Sequence, residues 1–141
     1  MTVLRRVRLT PKWTSLLDYL QLECLPGDVP CPYKAGDRWW VAFDGDAPVA
    51  FAGARPSGTP GYWYLCRAGV IPSARGQGLQ KRLIRVRTAA AKAAGAVAVI
   101  TDTRSCNCAS SNSLIGEGFR TYMPARRWAL PDSIYWKKNL K

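Results

Sequence analysis

The sequence predicts an α/β chain folded as a single domain over residues 1–141, with a mixed, largely antiparallel sheet of six to seven strands flanked by helices. Three observations carry that expectation. Short apolar runs of strand length alternate with segments of helical period. Between Tyr62 and Thr101 a strand, a glycine-bearing turn, a helix and a second apolar run follow one another, the pattern of a right-handed parallel crossover. Elsewhere, runs joined by short turns imply antiparallel hairpins. With 141 residues and a 48% hydrophobic fraction, the chain supports one core and leaves too little for two.

The elements follow in order. "VLRRVRL" (3–9) alternates imperfectly and reads as a first strand. Thr10 and Pro11 give an N-cap followed by proline at the first helical position, and Trp13, Leu16, Leu17 and Leu20 continue at helical spacing. Pro26, Pro30 and Pro32 keep the next segment irregular. "RWWVAF" (38–43) and "PVAFAGAR" (48–55) flank an Asp44-Gly45 turn and read as a hairpin. "YWYLCRAGV" (62–70) is a fourth strand, whose Gly69 implies a bulge or a close backbone approach. A helix then runs from Leu79 to Ala94, with Leu79, Leu83, Val86 and Ala90 as its apolar stripe and Lys81, Arg82, Arg85 and Lys92 off it. Gly95 ends it. "AVAVIT" (96–101) reads as a strand buried on both faces. "SCNCASSNSLIGEG" (105–118) reads as a loop and short helix. "FRTYM" (119–123) and "SIYWKK" (133–138) close the chain as two strands.

The net charge is +12, carried largely in pairs such as Arg5-Arg6, Lys81-Arg82, Arg126-Arg127 and Lys137-Lys138. It points to nucleic acid, an anionic membrane surface or a polyanionic small molecule. Five cysteines, an odd number, and an opening "MTVLRRVRLT" without the apolar core of a secretory signal predict free thiols and a cytoplasmic setting. No stretch is long enough to span a bilayer, so no membrane partner is expected. With no histidine and no C-x-x-C pair, no metal site is expected, and Ser-His and Cys-His chemistry is excluded.

The stretch "VIPSARGQGLQKRL" (70–83) carries the chemistry. A strand that turns through glycines into a helix aims backbone N–H groups and the positive end of a helix dipole at one spot. Lys81 and Arg82 on that first turn oppose the dipole, a cost that a bound polyanion would reverse. Arg75 offers a forked donor for phosphate oxygens. The residues alone thus predict a pyrophosphate site. No P-loop or Rossmann pattern is present.

This stretch resembles the acetyl-CoA-binding motif of the GNAT superfamily of N-acetyltransferases, Val-x-Pro-x-x-Arg-Gly-x-Gly at the end of the fourth strand. Gln80 departs from the small residue usual at the motif's last position, although its amide can itself donate to phosphate. "NCASSNSLIGEGF" resembles the family's Asn-x-x-Ser-Asn…Gly-Phe pattern through Asn107, Ser110, Asn112, Gly118 and Phe119, with Leu114 where many members carry tyrosine. The resemblance implies splayed fourth and fifth strands, with Ala68, Gly69 and Val70 along the pantetheine arm. A main-chain N–H of Ala68 or Val70 would polarise the thioester carbonyl. Arg75, Gly76, Gln77, Gly78, Leu79, Gln80 and Lys81 would hold the pyrophosphate, with Asn107 and Ser110 facing the arm from the other side. Read without the resemblance, Asn107 is a loop residue and Ser110 a helix N-cap.

The implied reaction is acetyl transfer from acetyl-CoA, as cosubstrate, to an amine of a small molecule, peptide or protein. Tyr122 and Tyr64 are the candidate acids. Asp102 and Asp37 are candidate bases or cation holders, and equally turn or cap residues. Trp39, Trp40 and Trp128 suggest an aromatic-walled acceptor cleft, and Arg126 and Arg127 an anionic feature on the acceptor. A monomer or homodimer is expected. Two other classes compete: a basic nucleic-acid-binding module, which predicts steep salt-sensitive retention on nucleic acid, and an acetyl-CoA binder with little catalysis.

Overall fold

The structure, a computed structural model, describes residues 1–140. Strands β1 (Thr2–Val7), β2 (Arg38–Asp44), β3 (Ala47–Pro56), β4 (Tyr62–Val70), β5 (Ala98–Arg104), β6 (Arg120–Thr121) and β7 (Ser133–Asn139) form one sheet in the order β1-β2-β3-β4-β5-β7-β6. Helices α1 (Pro11–Cys24), α2 (Leu79–Ala93) and α3 (Cys108–Gly116) cover it, and a 3₁₀ turn spans Pro72–Ala74. Strands β4 and β5 pair in parallel and the other neighbours antiparallel, as the crossover and hairpins require.

Alternation along β2 and β3 divides the core. Trp39, Val41 and Phe51 pack with Leu17, Leu20 and Cys24 under α1. On the other face Ala42, Ala50 and Ala52 meet Leu79 and Leu83 of α2, while Trp40 and Ala54 meet Ile84. Trp39 and Trp40 are thus core residues, not cleft walls. The Trp39 indole N–H donates to Asp37 Oδ2 at 3.0 Å.

Three local expectations change. Thr10 stands at the N-cap of α1 but its side chain makes no cap bond. The buried face of α2 is Leu79, Leu83, Ile84, Arg87 and Ala91, with Val86 and Ala90 only half-buried. Arg87 fits an apolar face because Nε donates to Leu83 O at 3.1 Å and Nη1 to Gly53 O at 3.3 Å. And β5 runs on to Arg104, so Asp102 is a strand residue rather than a turn.

Gly69 is a close approach: a Cβ there would lie 2.6 Å from Cys24 Cβ and 2.8 Å from the Phe51 ring. The bulge falls instead at Cys66, because Gly53 pairs with Arg67 and Ala54 with Leu65, leaving Cys66 over. Strands β4 and β5 pair only through Tyr62–Tyr64 and Ala98–Ile100. Thr101 Oγ1 donates to Leu65 O at 2.8 Å just beyond. After that the strands part.

Candidate active site

The parting of β4 and β5 opens two connected grooves, which share Ala68, Gln80, Asn107 and Ser110. The first, about 580 Å³, lies against the start of α2. It collects Ala68, Gly69, Val70, Arg75, Gly76, Gly78, Leu79, Gln80, Lys81, Asn107 and Ser110, and it adds Cys24 and Leu25 from the end of α1, which sequence reasoning missed. Gln77 is exposed and does not line it.

Gly76 and Gly78 have φ of 80° and 77°, a left-handed backbone that a side chain resists. Open space lies where their Cβ atoms would stand, so the glycines serve the turn and leave room above it. Among the described residues, the N–H groups from Gly76 to Lys81 have no protein acceptor, and no acidic residue occupies the first turn of α2. Such a row of free donors at a helix N-terminus is built for an anion. Arg75 Nε donates to Val70 O at 3.0 Å, which leaves the rest of its guanidinium at the groove.

The first-turn cations divide. Lys81 lines the groove, but Arg82 Nη2 reaches Thr2 O at 3.1 Å on the sheet edge and contributes nothing to the loop. Along β4, Ile71 N–H donates to Val49 O across the β3 side. Strand alternation turns the N–H groups of Ala68 and Val70 the opposite way, toward the gap. Asn107 is the N-cap of α3, its Oδ1 accepting from Ser110 N at 3.1 Å. Ser110 is therefore not a cap, as it would be read alone.

The second groove, about 600 Å³, lies at the gap itself, lined by Tyr64, Cys66 and Asp102 of the two strands, Ile84 and Arg87 of α2 and Leu114 of α3. Tyr64 OH donates to Asp102 Oδ1 at 3.0 Å across 38 residues of chain. Burial raises the Asp102 pKa above the usual carboxylate value, and the Tyr64 bond partly offsets it. Burial and the Asp102 carboxylate raise that of Tyr64, so its phenol stays protonated. Trp128 packs edge-on to Tyr64 with ring centroids 5.3 Å apart and lines the groove, as does Leu114. Tyr122 lines neither groove, and sits behind Trp128 against Tyr135, 6.4 Å between ring centroids. Arg126 and Arg127 also lie off both grooves, with Arg127 Nη2 on Pro131 O at 2.8 Å. Asp37 is buried beneath Trp39 and Arg55 rather than at the groove.

Arg87 borders this second groove, 3% exposed and bonded to carbonyls rather than a carboxylate. Burial lowers its pKa to about 10. A charged residue at a four-residue step between Leu83 and Ala91, on the apolar face, was the sequence signal that could have marked it. Among the described residues no group of three or more His, Cys, Asp or Glu could hold a metal ion, and no helix is long and apolar enough to cross a membrane.

Comparison with known proteins agrees with this arrangement. A Bacillus subtilis acetyltransferase, solved in complex with CoA, superposes with a TM-score of 0.80 at 16% identity, covering 100% of each chain. A ribosomal-protein alanine N-acetyltransferase of Escherichia coli gives 0.77 at 14% identity, covering 99% of this chain and 94% of that one. An IAA acetyltransferase of Bacillus cereus gives 0.77 at 17% identity, covering 99% and 100%. These likenesses establish the fold. No curated protein matches. The family model described as the acetyltransferase (GNAT) family matches residues 7–112, from the end of β1 to the middle of α3. With the splayed strands, the glycine turn and that match in hand, the chain belongs to the acetyltransferase (GNAT) family.

Proposed function

We propose that the chain transfers the acetyl group of acetyl-CoA to an amine acceptor by direct attack of the amine on the thioester. The observation that carries this reading is the continuity of the two grooves through the β4–β5 gap, with free backbone donors at one end and the Tyr64–Asp102 pair at the other. Acetyl-CoA supplies the activated acyl group. The N–H row from Gly76 to Lys81, with Arg75 and the Lys81 ammonium, holds its pyrophosphate. The free N–H groups of Ala68 or Val70 steady the negative charge that grows on the carbonyl oxygen during attack. Asn107 keeps α3 in place through its cap bond and, with Ser110, faces the arm.

On the acceptor side, Asp102 takes the proton that the ammonium must lose before it can attack. Its raised pKa makes it a stronger base than a surface carboxylate, and Tyr64 orients it. Tyr64 has its proton directed at Asp102, so it serves as a positioning residue rather than as the acid for the departing thiol. Leu114 supplies no acid in its place, and a thiolate leaves without strong acid help. The five free cysteines support a reducing, cytoplasmic setting. One experiment tests the whole reading: thiol release from acetyl-CoA across a panel of small amines, peptides and protein extracts. Turnover with at least one amine is expected. Tight acetyl-CoA binding with no turnover on a broad panel would leave a binder, and salt-sensitive retention on nucleic acid without acetyl-CoA binding would favour the basic module.

A further inference from the structure

A cluster of polar groups that acetyl transfer does not use lies where the 25–37 loop meets the β4 bulge. Arg55 Nη2 sits 3.0 Å from Asp37 Oδ2, 2.9 Å from Pro32 O and 3.5 Å from Cys31 Sγ. The Cys31 thiol donates to Pro32 O at 3.4 Å, both Cys31 and Cys66 pack against the core cluster under α1, and Cys66 and the Arg67 charge act on the Cys31 thiol. Asp37 Oδ1, Arg55 Nε and Arg67 Nη1 are buried there without a hydrogen-bond partner. Arg55 is ion-paired to Asp37 and Arg67 Nη1 lies 3.9 Å from Asp28 Oδ2, yet each keeps a buried donor without a hydrogen bond, and positive charge so placed favours a thiolate.

The sulfurs differ. The neighbouring Cys66 thiol, then the Arg55 and Arg67 charges, hold the Cys31 thiol down to about 6 against the opposing effect of burial. The neighbouring Cys31 and burial push that of Cys66 up. As the extra residue of the bulge, Cys66 has no cross-strand partner to hold it in register. Cys24 is buried against Gly69, and burial raises its thiol to about 11.

We propose that Cys31 is a reactive thiolate and Cys66 its resolving partner, forming a dithiol site that a hydroperoxide converts into a Cys31–Cys66 disulfide. The Cys31 thiolate attacks the distal peroxide oxygen, the O–O bond breaks, and sulfenic acid and hydroxide (or alkoxide) result. Cys31 is then uncharged, so Arg55 and Arg87 favour the Cys66 thiolate instead. Hydroxide takes the Cys66 proton to give water, and the new thiolate attacks the sulfenic sulfur. The S–O bond breaks, hydroxide leaves, and two thiols have lost two electrons to the peroxide. The bond staples the 25–37 loop to β4 beside the second groove, which Cys66 and Asp28 line, and touches no residue of the first.

The test uses the full chain carrying Cys106→Ser and Cys108→Ser, which removes the two exposed thiols. Iodoacetamide at pH 7 should label Cys31 at least about tenfold faster than Cys24. Stoichiometric hydrogen peroxide should then give a species two hydrogens lighter, whose digest holds a Cys31–Cys66 linked peptide. Adding Cys66→Ser should stop the reaction at a dimedone-reactive sulfenic acid on Cys31. Adding Cys31→Ser should leave Cys66 reduced under the same peroxide, with circular dichroism confirming the fold of each variant. A linked peptide joining Cys24 instead, first oxidation at Cys66, or equal labelling of Cys24 and Cys31 would each overturn the assignment.

Discussion

The loop that begins α2 and the wall shared by β4 and β5 border one continuous groove, yet the chain makes them from different material. The loop is almost all backbone: two glycines at positive φ and a run of N–H groups with no protein acceptor. The wall is almost all side chain: Tyr64 on Asp102, Trp128 on Tyr64, and Arg87 brought in from the opposite face of the sheet. Backbone sites depend on a few residues close in sequence and tolerate little change there. Side-chain sites depend on register between distant strands, so their parts can be exchanged one at a time.

The largest effect should therefore fall on the loop. Gly78→Glu places a side chain in a left-handed conformation, a cost of about 1–2 kcal/mol, and an acid among donors meant for an anion. Acetyl-CoA affinity by calorimetry should fall at least about 100-fold with the fold intact, and unchanged affinity would remove the loop from the site. The wall should break differently. Asp102→Asn keeps an acceptor for Tyr64 but no base, so kcat for an amine acceptor should fall by about 10²–10⁴ while acetyl-CoA affinity holds. The pH profile sharpens the same point. Asp102 works only when ionised, and burial raises its pKa, so the acidic limb of the wild-type rate should lie above the ordinary carboxylate range and vanish in the variant. A limb that survives would assign the base elsewhere.

Smaller effects probe the frame. Arg87 is positive, buried and without a carboxylate, and its pKa is lowered to about 10. Its charged form is disfavoured in the fold at neutral pH, and that penalty fades only as pH rises through about 10. Arg87→Met should accordingly raise Tm by roughly 5 °C, whereas a fall would mean that the two carbonyl bonds outweigh the desolvation. Smallest is the contrast between caps. Asn107→Ala should cost about 1 kcal/mol in denaturant unfolding, and Thr10→Ala less than about 0.5 kcal/mol, because only Asn107 makes its cap bond.

The same division explains what could be read ahead of the structure. Gly76 and Gly78 report a backbone requirement in their own identity, and the helix boundaries at Leu79 and Gly95 follow from local rules. The wall residues report nothing local. Asp102 looked like a turn residue because "AVAVIT" ends its apolar run at Thr101, but pairing with β7 carries β5 through Arg104. Arg87 stands at the Leu83–Ala91 spacing of an apolar face, and only the Gly53 and Leu83 carbonyls explain its burial. The bulge at Cys66 has no glycine to announce it, whereas the glycine that is present, Gly69, answers to a helix packed on top of it.

That packing reaches further than the two residues it joins. The last turn of α1 rests on β4 so closely that its exit point is fixed before the 25–37 loop begins. Cys24 and Leu25 stay with the first groove, and Asp28, three residues on, already belongs to the second. Insertions or deletions beyond Leu25 can therefore redraw the second groove while the first keeps its shape. The chain carries a hinge point for evolutionary retuning, where a single loop can be exchanged to reshape one groove without disturbing the glycine turn at the other.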